Sequence, residues 1–281
     1  MFGVVPKTIW NKSNPADANN LCTWALRCLL VETGNRLILV DTGIGDKQDV
    51  KFFSHYDLHG EFSLDDSLKS SGYSIEDVTD VFLTHLHFDH CGGAIIRKGD
   101  QFLPAFPNAR YWSNEWHWDW ATHPNEREKA SFLKENIQPI RDCCRLEMVP
   151  TKDLETGLAH FSSSEGLSAQ PAETVFAEGF QIRFVHGHTR AMMLPQLIYK
   201  GRTIVFMADL LPSVGHLPIP YVMAYDMFPL TSLREKSAFL EEALAGDYVL
   251  FFEHDPVSEC CTLQTTEKGI RAKEIFTLKD L

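Results

Sequence analysis

The hydrophobic residues of this chain gather in short runs, and each run is followed closely by side chains able to bind a metal. The first run is Val78 to Leu83, and the later ones are Ile182 to Val185, Thr203 to Met207 and Tyr248 to Phe252. Runs of this length, rich in Val, Ile and Phe, predict buried strands. Each predicted strand therefore delivers polar residues to the point where the chain leaves a sheet.

Two further patterns predict a hairpin and a helix. The segments Leu26 to Val31 and Leu37 to Val40 flank Thr33-Gly34-Asn35, which predicts a β-hairpin. Ser232 and Glu235 have the spacing of a capping box, which predicts a helix that begins there and ends near Gly246. Strands and helices that alternate along a chain indicate a layered α/β fold.

The densest chemical signal is a run that carries His85, His87, Asp89 and His90 directly after the first predicted strand. In extended backbone His85 and His87 point to the same side, because side chains alternate along a strand. A tighter turn at Asp89 and His90 can aim a carboxylate and a third imidazole at a neighbouring point. One ion cannot easily take four ligands from so short a loop, whereas two ions about 3.5 to 4 Å apart can share them. The run therefore predicts a two-metal hydrolytic site.

The remaining ligands are expected just beyond the other predicted strands. His188, Asp209 and His254 occupy those positions, on the side of a sheet where α/β folds usually build their sites. Taken singly, each is more typical of a turn or capping residue. Their shared placement, together with the His-rich run, favours ligands. Cys91 is not assigned as a ligand, because the Gly92-Gly93 pair that follows it indicates close packing at this turn.

Length and composition agree with one enzyme domain over residues 1–281. The chain has 281 residues, of which 44% are hydrophobic, so it can bury a substantial core. Its 26 Lys and Arg stand against 38 Asp and Glu, and this acidic balance argues against nucleic acid as a partner. The segment Leu154 to Thr174, rich in Ser, Ala and Glu, predicts a surface excursion.

The cellular setting is predicted from the first residues and from the cysteines. Met1 to Trp10 lacks a charged and apolar leader, and the seven cysteines show no Cys-x-x-Cys spacing. No stretch approaches the roughly 18 apolar residues that span a bilayer. These features predict a cytoplasmic protein with reduced thiols and without a membrane partner.

The motifs resemble the metallo-beta-lactamase superfamily of metal-dependent hydrolases, and the resemblance covers nearly the whole chain. Besides the His-rich run and the three later ligands, it includes Val40-Asp41-Thr42-Gly43 after the predicted hairpin. The resemblance implies an αββα sandwich. It also implies that one metal ion is held by His85, His87 and His188, that a second is held by Asp89, His90 and His254, and that Asp209 bridges the two.

On this resemblance, the protein uses a metal-bridging hydroxide to open an ester. Zinc is the expected ion because imidazole dominates the ligand set, although manganese, iron or cobalt would also be accepted. Asp89 and Asp209 are the expected catalytic carboxylates, since Asp89 can relay a proton to the leaving oxygen. Asp41 is expected to fix the tautomer of an imidazole ligand, and a turn cap is its alternative role.

The substrate is predicted to be a small, neutral and partly apolar ester, because the chain resembles the lactonase and organophosphate-hydrolase-like branch most. A lactone with an apolar acyl chain is the leading case, and an organophosphate or aryl ester is the alternative. A metal-binding sensory protein with little turnover is the alternative of another class. Two groups of residues support an apolar cleft. The first lies in a long loop after Gly45 and comprises Phe52, Phe53, His55, Tyr56 and His59. The second comprises Trp112, Trp116 and Trp120, which fall on one face if that segment is helical. The tryptophans could instead pack in the core or in a homodimer contact.

Two features depart from the family pattern. Lactonases of this branch commonly carry a Tyr where this chain has Pro212, so the residue that assists the carbonyl oxygen is expected among His216, Tyr221 and Tyr225. Relatives are also expected to have one more strand before the segment Met1 to Lys7, a difference that would affect stability more than chemistry.

Overall fold

All four apolar runs that precede predicted ligands form strands in the computed structural model, which describes residues 1–151 and 174–281. The strands span Asp80–Phe82, Phe180–Val185, Arg202–Phe206 and Val249–Phe251. The predicted hairpin is also present, and its two-residue turn uses Gly34 with a φ of 58°. These strand predictions are therefore confirmed. The predicted surface excursion at Leu154 to Thr174 lies outside the described residues, apart from Thr174.

The described chain divides into two compact units. The central unit is continuous from Cys28 to Val149, and the terminal unit combines Met1–Arg27 with Pro150–Leu281. The predicted ligands are divided between them, because the His-rich run belongs to the central unit and the three later ligands belong to the terminal unit. The single domain expected from length stays a prediction.

A five-stranded sheet is the framework of the central unit. In chain order the elements are β1 (Leu29–Thr33), β2 (Arg36–Val40), α2 (Val50–Phe53), α3 (Leu64–Ser70), β3 (Asp80–Phe82), α4 (Phe88–Cys91), a 3-10 turn (Gly92–Ala94), β4 (Ile95–Lys98), β5 (Gln101–Pro104), β6 (Arg110–Asn114), α5 (Glu115–Thr122), α6 (Lys134–Cys143) and β7 (Arg145–Val149). The sheet order is β1-β2-β3-β6-β7, with an antiparallel hairpin followed by parallel pairs. Leu39, Val81, Leu83, Tyr111 and Ile140 are buried in its core, so the end of β3 is fixed from several directions.

The terminal unit is built on a seven-stranded sheet. Its described elements are α1 (Lys7–Trp10), β8 (Thr174–Ala177), β9 (Phe180–Val185), β10 (Met192–Tyr199), β11 (Arg202–Phe206), a 3-10 turn (Val214–His216), α7 (Pro229–Ala245), β12 (Val249–Phe251), β13 (Cys260–Thr266), β14 (Gly269–Phe276) and a last 3-10 turn (Leu278–Asp280). The order is β14-β13-β12-β11-β10-β9-β8, and β11 and β12 are parallel. Helix α7 lies in the connection between these two strands, as a parallel pair requires. Strand β9 runs in the same direction as β11, because both are antiparallel to β10. Strands β9, β11 and β12 therefore end at one edge of the sheet.

One expected aromatic face is wrong. Trp112 lies on β6, whereas Trp116 and Trp120 lie on α5. The neighbouring aromatic side chains at this point favour a strand, and the Trp112 indole N–H donates to Asp80 Oδ1 at 2.8 Å. Trp112 therefore cannot share a helical face with the other two tryptophans.

The predicted capping box is also wrong. Helix α7 begins at Pro229, and Ser232 is already inside it. Proline is favoured in the first turn of a helix, where its missing N–H costs no hydrogen bond. Glu235 therefore does not cap the helix, and its carboxyl group contacts another segment of the terminal unit. Within residues 1–151 and 174–281, no helix combines the length and apolar character needed to cross a membrane.

Candidate metal centre

The first two histidines of the central unit face one another at the end of β3. His85 Nε2 and His87 Nδ1 are 3.1 Å apart, and both side chains are buried. The other nitrogen of His85 contacts Thr84 Oγ1 at 3.0 Å. The extended backbone of His87, with φ −65° and ψ 151°, ends this stretch before α4 begins. Both imidazoles therefore present a nitrogen to the same small space.

Asp89 and His90 follow on the single turn of α4. His90 Nε2 lies 3.9 Å from Asp89 Oδ2, and His90 Nδ1 lies 3.0 Å from Asp41 Oδ2. Asp41 also accepts hydrogen bonds from the N–H and the hydroxyl of Thr84, at 2.8 and 2.7 Å. Its φ of 56° is unusual for a residue with a side chain. Asp41 thus connects the Val-Asp-Thr-Gly motif to the His-rich run and holds the ring of His90.

Glycine allows the His-rich turn to pack against the loop after β2. A Cβ atom on Gly92 would lie 2.0 Å from the Ile44 carbonyl oxygen, and one on Gly93 would lie 2.2 Å from that of Thr42. The close packing inferred from the Gly-Gly pair is confirmed. Cys91 is fully buried between these contacts, and burial raises the pKa of its thiol to about 12. A neutral thiol in this environment is a packing residue.

Glu128 is a contact of this turn that sequence reasoning missed. Its Oε1 lies 2.9 Å from His87 Nε2, and its Oε2 accepts the indole N–H of Trp120 at 2.6 Å. Glu128 is 1% exposed, and these partners satisfy its two buried carboxyl oxygens. Glu128 and His87 are 41 positions apart, and no local pattern connects them. The sequence therefore contains no pattern that predicts the contact between Glu128 and His87.

In the terminal unit, His188 lies between two carboxylates. Its Nε2 is 3.0 Å from Asp209 Oδ2, and its Nδ1 is 2.9 Å from Asp226 Oδ1. Burial lowers the pKa of His188, but the two carboxylates raise it by more, to about 10. Asp226 is a second residue that sequence reasoning missed, since it follows no apolar strand.

Asp209 presents its second oxygen to another histidine. His254 Nε2 lies 3.0 Å from Asp209 Oδ1. His254 Nδ1 faces the Ala25 carbonyl oxygen at 2.8 Å, and the Ala25 N–H donates to the His254 carbonyl at 3.0 Å. The residue before Asp209, Ala208, has a φ of 39°, a strained conformation that is typical of functional sites. The carboxylate of Asp209 thus meets one imidazole at each oxygen.

The donor set suits divalent metal ions. Each of the five imidazoles has one nitrogen held by a neighbouring group and the other directed at a second predicted ligand within its own unit. Metal-binding histidines show this division, because the outer contact fixes which nitrogen is presented. Imidazole nitrogens and carboxylate oxygens are ligands that zinc, manganese, iron and cobalt accept. The residues present therefore fit such ions.

Comparison with known families identifies the fold that carries these residues. Residues 27–254 match the family model of the metallo-beta-lactamase superfamily. The chain belongs to that superfamily. A probable metallo-hydrolase of Mycobacterium tuberculosis is 41% identical over 286 residues, which cover 91% of this chain and 84% of the relative. The expected function is confirmed at this level: the protein is a metal-dependent hydrolase of the superfamily.

Solved structures of other proteins show the same fold. A probable metal-dependent hydrolase from Staphylococcus aureus aligns over 99% of this chain and 92% of its own, with a TM-score of 0.81 and 23% identity. AidC, a dizinc quorum-quenching lactonase, aligns over 90% of this chain and 81% of its own, with a TM-score of 0.67 and 22% identity. The predicted metallo-beta-lactamase fold is therefore confirmed. A stretch of 65 residues, 23% of this chain, is also 37% identical to 8% of the transcription termination factor FttA of Methanocaldococcus jannaschii.

Phe52 and Phe53, two of the aromatic residues predicted to meet a substrate, belong to an aromatic cluster in the central unit. Phe52 and Phe53 lie on the short helix α2 and not in a loop. The Phe52 ring is 5.4 Å from the ring of Phe53, 5.0 Å from Tyr56 and 5.4 Å from Phe88. Because Phe88 directly precedes Asp89, this cluster places partly exposed aromatic surface beside the His-rich turn.

The three residues predicted to assist the carbonyl oxygen differ in exposure. His216 is 1% exposed, its ring stacks on Phe2 at 4.5 Å, and its nitrogens contact Ser213 Oγ and the Met1 carbonyl. This setting favours a packing role over contact with a substrate. Tyr221 is partly exposed, and Tyr225 is 58% exposed beside Asp226. Pro212 itself is buried and offers no donor.

Proposed function

We propose that this superfamily member is a dinuclear hydrolase that opens an ester, with a lactone bearing an apolar acyl chain as the leading substrate class. The observation that carries the proposal is the setting of Asp209, which presents one oxygen to His188 and the other to His254 at 3.0 Å each. A carboxylate that bridges two ions must offer its two oxygens in this way. The superfamily match over residues 27–254 supports the same role.

The proposed ligand set follows the family pattern. His85, His87 and His188 would hold one ion, Asp89, His90 and His254 would hold a second, and Asp209 would be shared. Two divalent ions, when bound, lower the pKa of water toward about 7 and polarise an ester carbonyl.

The chain's own residues supply orientation and proton transfer. Asp41, Glu128 and Asp226 hold the rings of His90, His87 and His188 in the tautomers that ligation needs. The Asp89 side chain is 30% exposed, whereas the His90 side chain is fully buried. We assign to Asp89 the transfer of a proton, taken from the attacking water, to the leaving alkoxide when the ester bond breaks.

An apolar, neutral ester suits the surroundings of the His-rich turn. The cluster of Phe52, Phe53, Tyr56 and Phe88 offers aromatic surface to an acyl chain. The net charge of −12 disfavours a polyanionic substrate. The fold shared with the lactonase AidC agrees with this class.

A lactone series tests both the metals and the substrate. After metal-replete expression, elemental analysis should give about two divalent ions per chain, and kcat/KM should rise as the acyl chain lengthens. Each buried methylene contributes about 0.8 kcal/mol, or about fourfold in kcat/KM. Asp209→Ala should lose metal and turnover, whereas the exposed Asp100→Ala should behave as wild type.

Other results of these experiments would change the proposed function. Rates that do not depend on the length of the acyl chain would show that no apolar cleft binds it. Cleavage of a phosphotriester or an aryl ester without lactone activity would make the organophosphate and aryl-ester class the function. Two bound ions without hydrolysis of any ester would support a sensory protein.

A further inference from the structure

Glu235 on α7 binds the backbone of the turn that carries His188. Its Oε1 accepts the His186 N–H at 2.7 Å, and its Oε2 accepts the Gly187 N–H at 2.9 Å. Two consecutive N–H groups that point to one place form an anion-binding concavity. A carboxylate is the side chain that can fill it with one acceptor oxygen for each donor.

Gly187 brings this turn directly against the helix. A Cβ atom at Gly187 would lie 2.3 Å from the backbone nitrogen of Ser232 and 2.3 Å from its hydroxyl. Such an approach is closed to a residue with a side chain. The turn is therefore held by contact with the first half of α7 as well as by the Glu235 hydrogen bonds.

The other side of the turn is held by the residues just before α7. The Phe228 N–H donates to the Gly187 carbonyl at 2.8 Å, and the Met227 N–H donates to the His188 carbonyl at 3.0 Å. Asp226 Oδ1 contacts His188 Nδ1 at 2.9 Å. One continuous segment, residues 226–235, thus binds the N–H groups, the carbonyls and the imidazole ring of this turn.

We propose that Glu235 is a positioning residue for His188. By fixing the backbone of His186 and Gly187, it sets the direction from which the His188 imidazole presents Nε2 beside Asp209. The hydrogen bonds of the Glu235 carboxyl group go to the backbone of the turn, so it acts on His188 through the turn. This role rests on the proposed function, because it assumes that His188 binds an ion.

The substitution Glu235→Gln separates this role from simple packing. The amide has nearly the shape of the carboxylate but offers one acceptor oxygen, so its NH2 group must face a backbone N–H that it cannot accept. Glu241→Gln is the matched control, since Glu241 is on the same helix and exposed. Glu235→Asp keeps two acceptor oxygens on its carboxyl group and should restore part of the wild-type behaviour.

Cobalt binding gives a readout besides turnover. The metal-free proteins are titrated with Co²⁺, and the affinity, the stoichiometry and the visible spectrum are recorded together with cooperative unfolding. We expect Glu235→Gln to unfold cooperatively and to bind the ion that His188 holds about 10- to 100-fold more weakly, with an altered spectrum. Glu241→Gln should match wild type, and His188→Ala should weaken the same binding step.

The outcomes distinguish the two proposals. If wild type binds two ions and Glu235→Gln binds both with unchanged affinity and spectrum, the positioning role is wrong and the proposed function stands. If Glu235→Gln weakens only the step that His188→Ala leaves intact, the positioning role is also wrong. If wild type binds no ion, the proposed function fails, and the role of Glu235 fails with it.

Discussion

A histidine can bind a metal through either ring nitrogen, so a protein that uses several must determine which nitrogen each one presents. Asp41, Glu128 and Asp226 do this here by occupying one nitrogen of His90, His87 and His188. A carboxylate in that position also raises the basicity of the ring. The rings therefore bind metal ions more strongly, and protons compete with the ions for the same ring nitrogens.

We expect metal binding to weaken as the pH falls. In the metal-free protein, burial lowers the pKa of His188, but Asp209 and Asp226 raise it by more, to about 10. Below that pH an ion must displace a proton from the ring, so the apparent affinity should fall about tenfold for each pH unit lost. Competition titrations with a metal indicator at three pH values between 6 and 8 would measure it. A constant affinity over that range would contradict this expectation.

Asp226→Asn is the variant that tests the cause. It removes one carboxylate beside His188, so the pH dependence of metal affinity should become shallower, while the exposed Asp100→Asn should leave it unchanged.

The stability of the metal-free protein should change with pH in the opposite direction to metal affinity. A pKa raised from 6.5 stabilises the folded state fully below pH 6.5, and that contribution is lost as the pH rises through about 10.

At the scale of the element, α7 also holds the loop before the residues that bind His188. Lys236 is 2% exposed, and its Nζ donates to the carbonyls of Pro218, Ile219 and Tyr221 at 2.8, 3.3 and 3.0 Å. Burial lowers the pKa of Lys236 to about 7. Three carbonyl partners match the three donors of an ammonium group, so this lysine fixes the course of the loop that carries Tyr221.

We expect Lys236→Met to loosen that loop. The free energy of unfolding should fall by about 1 to 3 kcal/mol, because buried carbonyls lose their donor. If Tyr221 contacts the substrate, KM should rise while metal content stays at the wild-type level. Denaturant unfolding and steady-state assays would measure both effects, with the exposed Lys273→Met as the control. Unchanged stability would show that water replaces the ammonium group.

The same elements show what the sequence could and could not predict. Strand ends were predictable because apolar runs and the His-rich run are local patterns, as with Val249–Phe251 before His254. The contacts of Glu128 and Asp226 join residues 41 and 38 positions apart, so no window of sequence contains them. The capping-box prediction at Ser232 was wrong because the helix begins earlier, at Pro229. Glu235 instead binds the backbone of the turn that carries His188.

At the scale of the whole molecule, the proposed ligands come from both compact units. Four belong to residues 28–149, and three belong to the terminal unit. Ions that bind only the folded chain stabilise it by mass action. Bound metal should therefore contribute to the stability of the whole protein and not only to its activity.

Removal of metal should lower the unfolding temperature. At a free ion concentration about 100 times the Kd, the stabilisation is about 2.7 kcal/mol for each site. Thermal unfolding with a chelator and with added Zn²⁺ would show the difference. Asp209→Ala should unfold at one temperature in both conditions, and a wild-type temperature insensitive to the chelator would contradict the expectation.

The pairing of Ala25 with His254 has a consequence for synthesis on the ribosome. Residues 25 and 27 donate backbone hydrogen bonds to the turn at Glu253 and His254, so the start of the chain must wait for a segment near its other end. The central unit is complete once Val149 has emerged. About 100 further residues, or roughly 5 to 20 seconds of translation, separate that moment from the arrival of His254. The contacts within the His-rich turn can therefore form before His188, Asp209 and His254 have been synthesised.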